Sequence, residues 1–224
     1  MTIRVVSNTI RMNVQSESFV MATEEIIMFE KYNKVQQAVL ETTLRIISEK
    51  DLQATSMALI SKESGVSTGS IYHYFQSKED IIKELFRGIV TFQGEVVLKD
   101  FYTSESIQER FHRVWKNIFS FNIKYSKAFH FLEQYSFSPY IDETTKQEAC
   151  QGGCCGAIAK LYAEAIKDQL FIELEPKIMV QMHFGSVVYL VKAYLQNNVD
   201  LTDEIIQTVI HSCWSAVSKE KNAL

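Results

Sequence analysis

Apolar residues recur at helical spacing through almost the whole chain, and this periodicity confines it to an all-α architecture. Val35, Ala38, Val39, Thr42, Ile46 and Ile47 mark one stripe; Ile81, Ile82, Leu85, Phe86, Ile89 and Val90 mark another. Phe111, Val114, Trp115, Ile118 and Phe119 form a third, and Ala128, Phe129, Phe131, Leu132 and Tyr135 a fourth, before Pro139. The stops and starts follow capping chemistry. Glu-Lys-Asp at 49–51 ends the first helix, Thr55 or Ser56 caps a short second one, and Gly65 breaks it. Ser67 caps a third short helix to about Phe75, and Ser77 with Asp80 opens a long fourth. One helix is expected from Glu143 to about Asp168, its pattern interrupted by Gly152, Gly153 and Gly156. Pro176 suits a first turn and opens the next helix, which Asn197 and Asn198 end; a last one spans about Thr202–Lys219. That makes about nine helices after Thr23 and no convincing strand.

Composition agrees. Only 8 of 224 residues are Gly and 2 are Pro, which argues against a turn-rich all-β chain, while a 46% apolar share supports a sizeable core. Residues 1–22 read as a flexible arm or extension: Ile3, Val5, Val6 and Ile10 could make a strand, but nothing nearby would pair with it. Uncharged runs at Ile178–Val191 and Ile205–Ser218 are short for a membrane span, and with four cysteines in no secreted framework the expected location is the cytoplasm, with no membrane partner. Net charge is −4 overall and +1 over residues 31–90, so bulk charge declares no nucleic-acid binder. No GxSxG, GxGxxG, HExxH or phosphate loop occurs, so neither an enzyme nor a cofactor is indicated.

Function is concentrated in Thr55–Phe86, TSMALISKESGVSTGSIYHYFQSKEDIIKELF. Two short helices joined at Gly65, with Ile60 and Ile71 turned inward and Val66 in the wedge between them, make a helix-turn-helix. The outward groups of the second helix, Ser67, Thr68, Ser70, Tyr72, His73 and Tyr74, are donors for phosphates and base edges, and Gly69 lets the helix start approach a duplex. Lys78, at the start of the long helix, opposes the helix dipole and suits an anion outside the protein.

This string closely resembles the DNA-binding domain of TetR-type (tetracycline-repressor-like) regulators through Thr55, Ile60, Gly65, Val66, Ser67, Gly69, Ile71, Tyr72, Tyr74, Phe75, Lys78 and Glu79. Ser61 stands where the family usually has Ala, and Asp51 where it usually has Gly; Asp tolerates a left-handed conformation, so the same turn is expected. The resemblance implies that Thr68 faces bases, that Thr55, Tyr72 and Lys78 touch phosphates, and that the expected DNA-contacting set is completed by Ser56, Ser67, Gly69, Ser70, His73 and Tyr74. It divides the chain into a DNA-binding domain at 23–76 and a helical ligand-binding and dimerisation domain at 77–224. It also implies a homodimer on a palindromic operator, with recognition helices roughly 34–36 Å apart.

Expectations for the second part are coarser. Dimerisation is assigned to Val188, Leu195, Ile206, Val209, Ile210, Cys213, Trp214 and Val217 on the last two helices. A small hydrophobic effector is expected in an apolar cavity lined by Trp115, Phe119, Phe129, Tyr135, Met179, Met182, His183 and Tyr189. Repression relieved by that effector is the leading reading. Cys150, Cys154 and Cys155 keep open a thiol- or metal-responsive sensor on the same scaffold, and a ligand-binding or assembly protein with a vestigial DNA-binding domain is the third reading.

Overall fold

The computed structural model describes residues 28–103 and 106–219. The expected arm at 1–22 lies outside the described residues. Among those described the chain is all-α, with ten helices: α1 (Lys34–Lys50), α2 (Met57–Ser64), α3 (Thr68–Tyr74), α4 (Lys78–Val97), α5 (Ile107–Lys124), α6 (Ser126–Tyr135), α7 (Glu143–Gly152), α8 (Cys155–Lys167), α9 (Pro176–Leu195) and α10 (Asp203–Val217).

Two differences from the sequence reading have clear causes. The helix expected from 143 to 168 is two helices, because Gly153 leaves helical geometry (φ −86°, ψ 171°). The first helix starts at Lys34, where Asn33 accepts from the amides of Val35 and Gln36 and Gln36 closes a capping box. The residues before it are anchored by Gln37, whose side-chain amide donates to the carbonyls of Phe29 and Tyr32 at 3.0 and 2.9 Å. Phe29 is buried there against Gly88 of α4, where an added Cβ would lie 2.7 Å from the ring.

The caps of α2, α3 and α4 are Ser56, Ser67 and Ser77, each accepting from the amide three residues on. Gly65 adopts the left-handed conformation (φ 70°) that ends α2. Asp51 has φ 76°, and its carboxylate accepts from Ala54 N at 2.9 Å, which offsets some of the backbone strain.

A small core of Val39, Leu40, Ile60, Ile71 and Phe75 holds α1 to α3 together and runs without interruption into α4 through Ile81, Ile82 and Leu85. Helix α4 then lies along α7 and α5. Where it meets α7 the backbones touch: a Cβ added at Gly94 would stand 2.1 Å from Gly152 O. Arg87 binds Glu84 at 3.1 Å and Glu148 of α7 at 2.8 Å, Lys83 binds Asp142 at 2.5 Å, and Tyr32 donates to Glu84 at 2.7 Å. Among the described residues a single antiparallel bridge, Phe171 with Ser218, ties the loop before α9 to the end of α10.

Candidate nucleic-acid interface and effector core

Helix α3 carries its outward groups as expected. Ile71 is fully buried, whereas Ser67, Thr68, Gly69, Ser70, Tyr72, His73 and Tyr74 are all exposed, Tyr72 at 51%. His73 and Tyr74 meet edge to face at 4.8 Å. Ser61 acts as more than a small packing residue: its hydroxyl donates to Val66 O at 2.7 Å and accepts from Thr68 Oγ1 at 3.2 Å, stapling the turn to the start of α3.

Two members of the expected DNA-contacting set sit differently. Thr55 is 1% exposed and its hydroxyl donates to Asp51 O at 2.7 Å, so it braces the turn before α2 instead of reaching outward. Lys78 is half-buried and places one of its three donors on Leu52 O at 3.3 Å. Leu52 N in turn donates to the hydroxyl of Tyr135 at 3.3 Å. Tyr135, expected in the effector cavity, is thus a joint between α6 and the three-helix unit.

The second centre lies among α5, α8, α9 and α10. Trp115 and His183 meet with ring centres 5.6 Å apart, and Phe111, Tyr162, Phe171 and Trp214 complete the cluster, Phe171 to Trp214 at 4.9 Å. Phe111, Tyr162, Phe171 and Trp214 were not assigned to a cavity from sequence. Tyr162 was invisible because one aromatic residue on an alanine-rich helix carries no pattern. The expected lining residues Trp115, Phe119, Phe129, Met179 and His183 are all buried. Met182 and Tyr189 are not: they are 52% and 78% exposed, because they are turned about 100–120° around α9 from His183, away from its buried face. Clefts of about 240 and 250 Å³ open elsewhere, one beside Phe29 and Gly88 and one between α1 and α6.

A polar chain runs through this core and fixes its own protonation. The Trp115 indole N–H donates to Tyr162 Oη at 3.1 Å. Tyr162 Oη and His183 Nδ1 make a short contact; with the hydroxyl as donor the Tyr162 proton is paired, whereas the reverse assignment leaves it without an acceptor in this contact, so the ring nitrogen is assigned as acceptor. That assignment puts the remaining ring proton on His183 Nε2, which is buried and has no hydrogen-bond partner among the described residues. Burial holds the His183 imidazole down at about 4 and pushes the Tyr162 phenol well above its usual value. An orphaned buried donor costs about 1–3 kcal/mol.

The dimerisation set divides by face. Ile206, Ile210, Trp214 and Val217 of α10 are buried against α5 within their own protomer, Trp214 stacking edge to face on Phe111 at 5.2 Å, so they leave no surface for a partner. Val188, Leu195, Val209 and Cys213 are half-buried at the margin. The apolar groups left outside are Ile178, Met182 and Tyr189 of α9 with Ile205 of α10. Helix α9 runs past its uncharged stretch at both ends, between the Pro176 and Asn197 signals. By length and composition it could cross a membrane, and only 28% of its apolar window is buried.

Residues 39–85 match the family described as bacterial regulatory proteins, tetR family, and residues 106–218 match the family described as tetracyclin repressor-like, C-terminal domain. The chain belongs to the TetR family. A Haemophilus influenzae protein described as an HTH-type transcriptional regulator is 24% identical over 184 residues, covering 82% of this chain and 95% of that one. The regulator BetI of Vibrio atlanticus is 46% identical over 52 residues, 23% of this chain and 26% of BetI. A TetR-family transcription regulator from Marinobacter aquaeolei superposes with a TM-score of 0.75 at 21% identity, covering 82% of this chain and 95% of the other. Membership makes this TetR-family protein a ligand-responsive, DNA-binding transcriptional regulator that works as a homodimer, and not an enzyme.

Proposed function

We propose that this TetR-family regulator is a repressor that holds a palindromic operator through α3 and releases it when a small apolar effector enters the Trp115–His183 core. The division into a DNA-binding unit ending near residue 76 and an effector-binding and dimerisation unit after it belongs to this reading. One observation carries the DNA half: seven outward groups from Ser67 to Tyr74 are exposed on a helix whose only buried residue is Ile71. Thr68 faces base edges, Tyr72 and the free donors of Lys78 take phosphates, and Ser56, Ser67, Gly69, Ser70, His73 and Tyr74 complete the surface. The exposed stripe of Ile178, Met182, Gly185 and Tyr189, spaced at one face of α9, supplies the two-fold contact with the outer face of α10.

For the effector, the orphaned Nε2 proton of His183 adds a chemical requirement to apolarity. The compound brings a hydrogen-bond acceptor, such as a carbonyl or carboxylate oxygen, into an aromatic surround. Satisfying that donor favours the effector-bound state, and about 1.4 kcal/mol of coupling per tenfold change in operator affinity is all that release requires. The test is a gel shift at low salt on the DNA upstream of the regulator's own gene. Binding to that DNA and to no scrambled duplex supports the reading; binding to neither ends it. Screening apolar compounds with and without an acceptor, by their effect on the shift, tests the effector class.

A further inference from the structure

We propose that Cys155 and Cys150 form a hydroperoxide-responsive thiol pair whose oxidation displaces α7 from α4 and weakens DNA binding. The DNA readout rests on the regulator reading above; the thiol chemistry does not.

Three thiols gather at the break between α7 and α8. Cys150 lies in the last turn of α7 and is exposed, Cys154 is the buried cap residue of α8, and Cys155 is the exposed first residue of that helix. Cys155 has what a reactive thiol needs. It reaches solvent, it sits at the N-terminus of a 13-residue helix where the dipole favours a thiolate, and a donor stands beside it. The adjacent Cys154 thiol and Cys155's own backbone amide favour the Cys155 thiolate and bring it down to about 7. The Cys155 neighbour, with burial, pushes Cys154 up. Partial desolvation of its sulfur and the neighbouring Cys155 charge hold Cys150 up, so Cys150 keeps its proton. One thiolate and one thiol, both exposed and separated by a turn boundary, are an attacking and a resolving pair.

The chemistry balances with a hydroperoxide as oxidant. The Cys155 thiolate attacks the terminal peroxide oxygen, the O–O bond breaks, and the alkoxide or hydroxide leaves and takes a proton, giving a sulfenic acid at Cys155. Cys150 then loses its proton and attacks that sulfur. The S–O bond breaks, water leaves, and an S–S bond joins the two residues. Two thiols have been oxidised and one hydroperoxide reduced to an alcohol, or water, plus water.

The location of the bridge gives it reach. The segment it closes contains Gly152 and Gly153, the residues on which α4 rests. A Cβ at Gly94 would stand 2.1 Å from Gly152 O, and one at Gly153 would stand 3.1 Å from a Val90 methyl. That contact leaves no slack, so pulling Cys150 toward Cys155 reshapes the backbone under α4. Glu148, which holds Arg87 of α4 at 2.8 Å, lies only two residues before Cys150. The other end of α4 begins at Lys78, beside the recognition helix.

The experiment uses the full-length reduced protein with hydrogen peroxide at near-stoichiometric dose. Each protomer should become about 2 Da lighter. In the tryptic peptide spanning residues 147–160, which holds all three cysteines, only Cys154 should still take an alkylating label. Affinity for the upstream DNA should fall at least about tenfold and return with dithiothreitol. Cys150→Ser and Cys155→Ser should each abolish both the bridge and the change in affinity, while Cys213→Ser keeps both; far-ultraviolet circular dichroism confirms that each variant folds, with Cys150→Ala as a second form. A response that survives either Cys150→Ser or Cys155→Ser, a bridge that leaves affinity unchanged, or oxidation confined to Cys213 each overturns the proposal. Failure of the reduced protein to bind any DNA refutes the regulator reading and the DNA arm together, and the labelling pattern then decides the thiol arm alone.

Discussion

Acidification should weaken this fold through His183, by an amount that its surroundings fix. The imidazole is neutral in the folded protein and titrates at about 4, because burial between Trp115, Phe111 and Tyr162 penalises the charged form. In the unfolded chain it titrates near its ordinary value of about 6.5. The unfolded state therefore binds more protons than the folded one between those two values, so stability is complete above about 6.5 and falls as the pH drops toward 4. Between pH 7.5 and pH 5 the loss attributable to this group is about 2 kcal/mol. Urea melts at fixed protein concentration, compared at pH 7.5, 6 and 5, measure it; concentration must be fixed because a dimer's stability depends on it. His183→Gln cannot titrate and should remove that share of the pH dependence, leaving only what other groups such as His112 contribute. An identical slope in the wild type and in His183→Gln would refute the argument, because the buried neutral ring would then not be the proton-linked group.

Other outcomes follow from the same geometry. Tyr162→Phe removes the oxygen between Trp115 N–H and His183 Nδ1, and should cost about 2 kcal/mol in thermal or urea unfolding. Gly94→Ala forces a methyl into Gly152 O and should destabilise by about 1–3 kcal/mol, with loss of DNA affinity if α4 shifts to relieve it. Tyr72→Ala should weaken binding to every duplex and leave its salt slope unchanged, because a phenol carries no charge to neutralise a phosphate, whereas Thr68→Ala should change the preference among operator sequences; gel shifts over a salt series and a randomised library separate the two. Tyr189→Glu places a charge on the exposed α9 stripe and should shift sedimentation toward the monomer.

The three-helix unit was legible because its determinants are local. Ser56, Ser67 and Ser77 cap their helices within three residues of themselves, and Gly65 supplies its left-handed turn alone. What escaped were features set by distant partners. Thr55 looks like an outward hydroxyl until Asp51 O is brought beside it. The stripe Ile206, Ile210, Trp214 and Val217 looks like a dimer face until α5 arrives with Phe111. Met182 and Tyr189 could be placed in or out of the core only once the rotation of α9, apolar on nearly all sides, was known. The start of α1 was readable but missed: Asn33 followed three residues later by Gln36 is a capping-box signature.

The unequal faces of α9 have a genetic consequence. A protomer that leaves Ile178, Met182 and Tyr189 in water gains from pairing with any copy that presents the same stripe, whatever the state of that copy's reading head. A version crippled in α3 but intact along α9 would still capture working protomers in one-armed pairs, each gripping half a binding site. Expressed in excess beside the normal gene, such an allele should behave as dominant, derepressing the target without any change in the amount of functional protein.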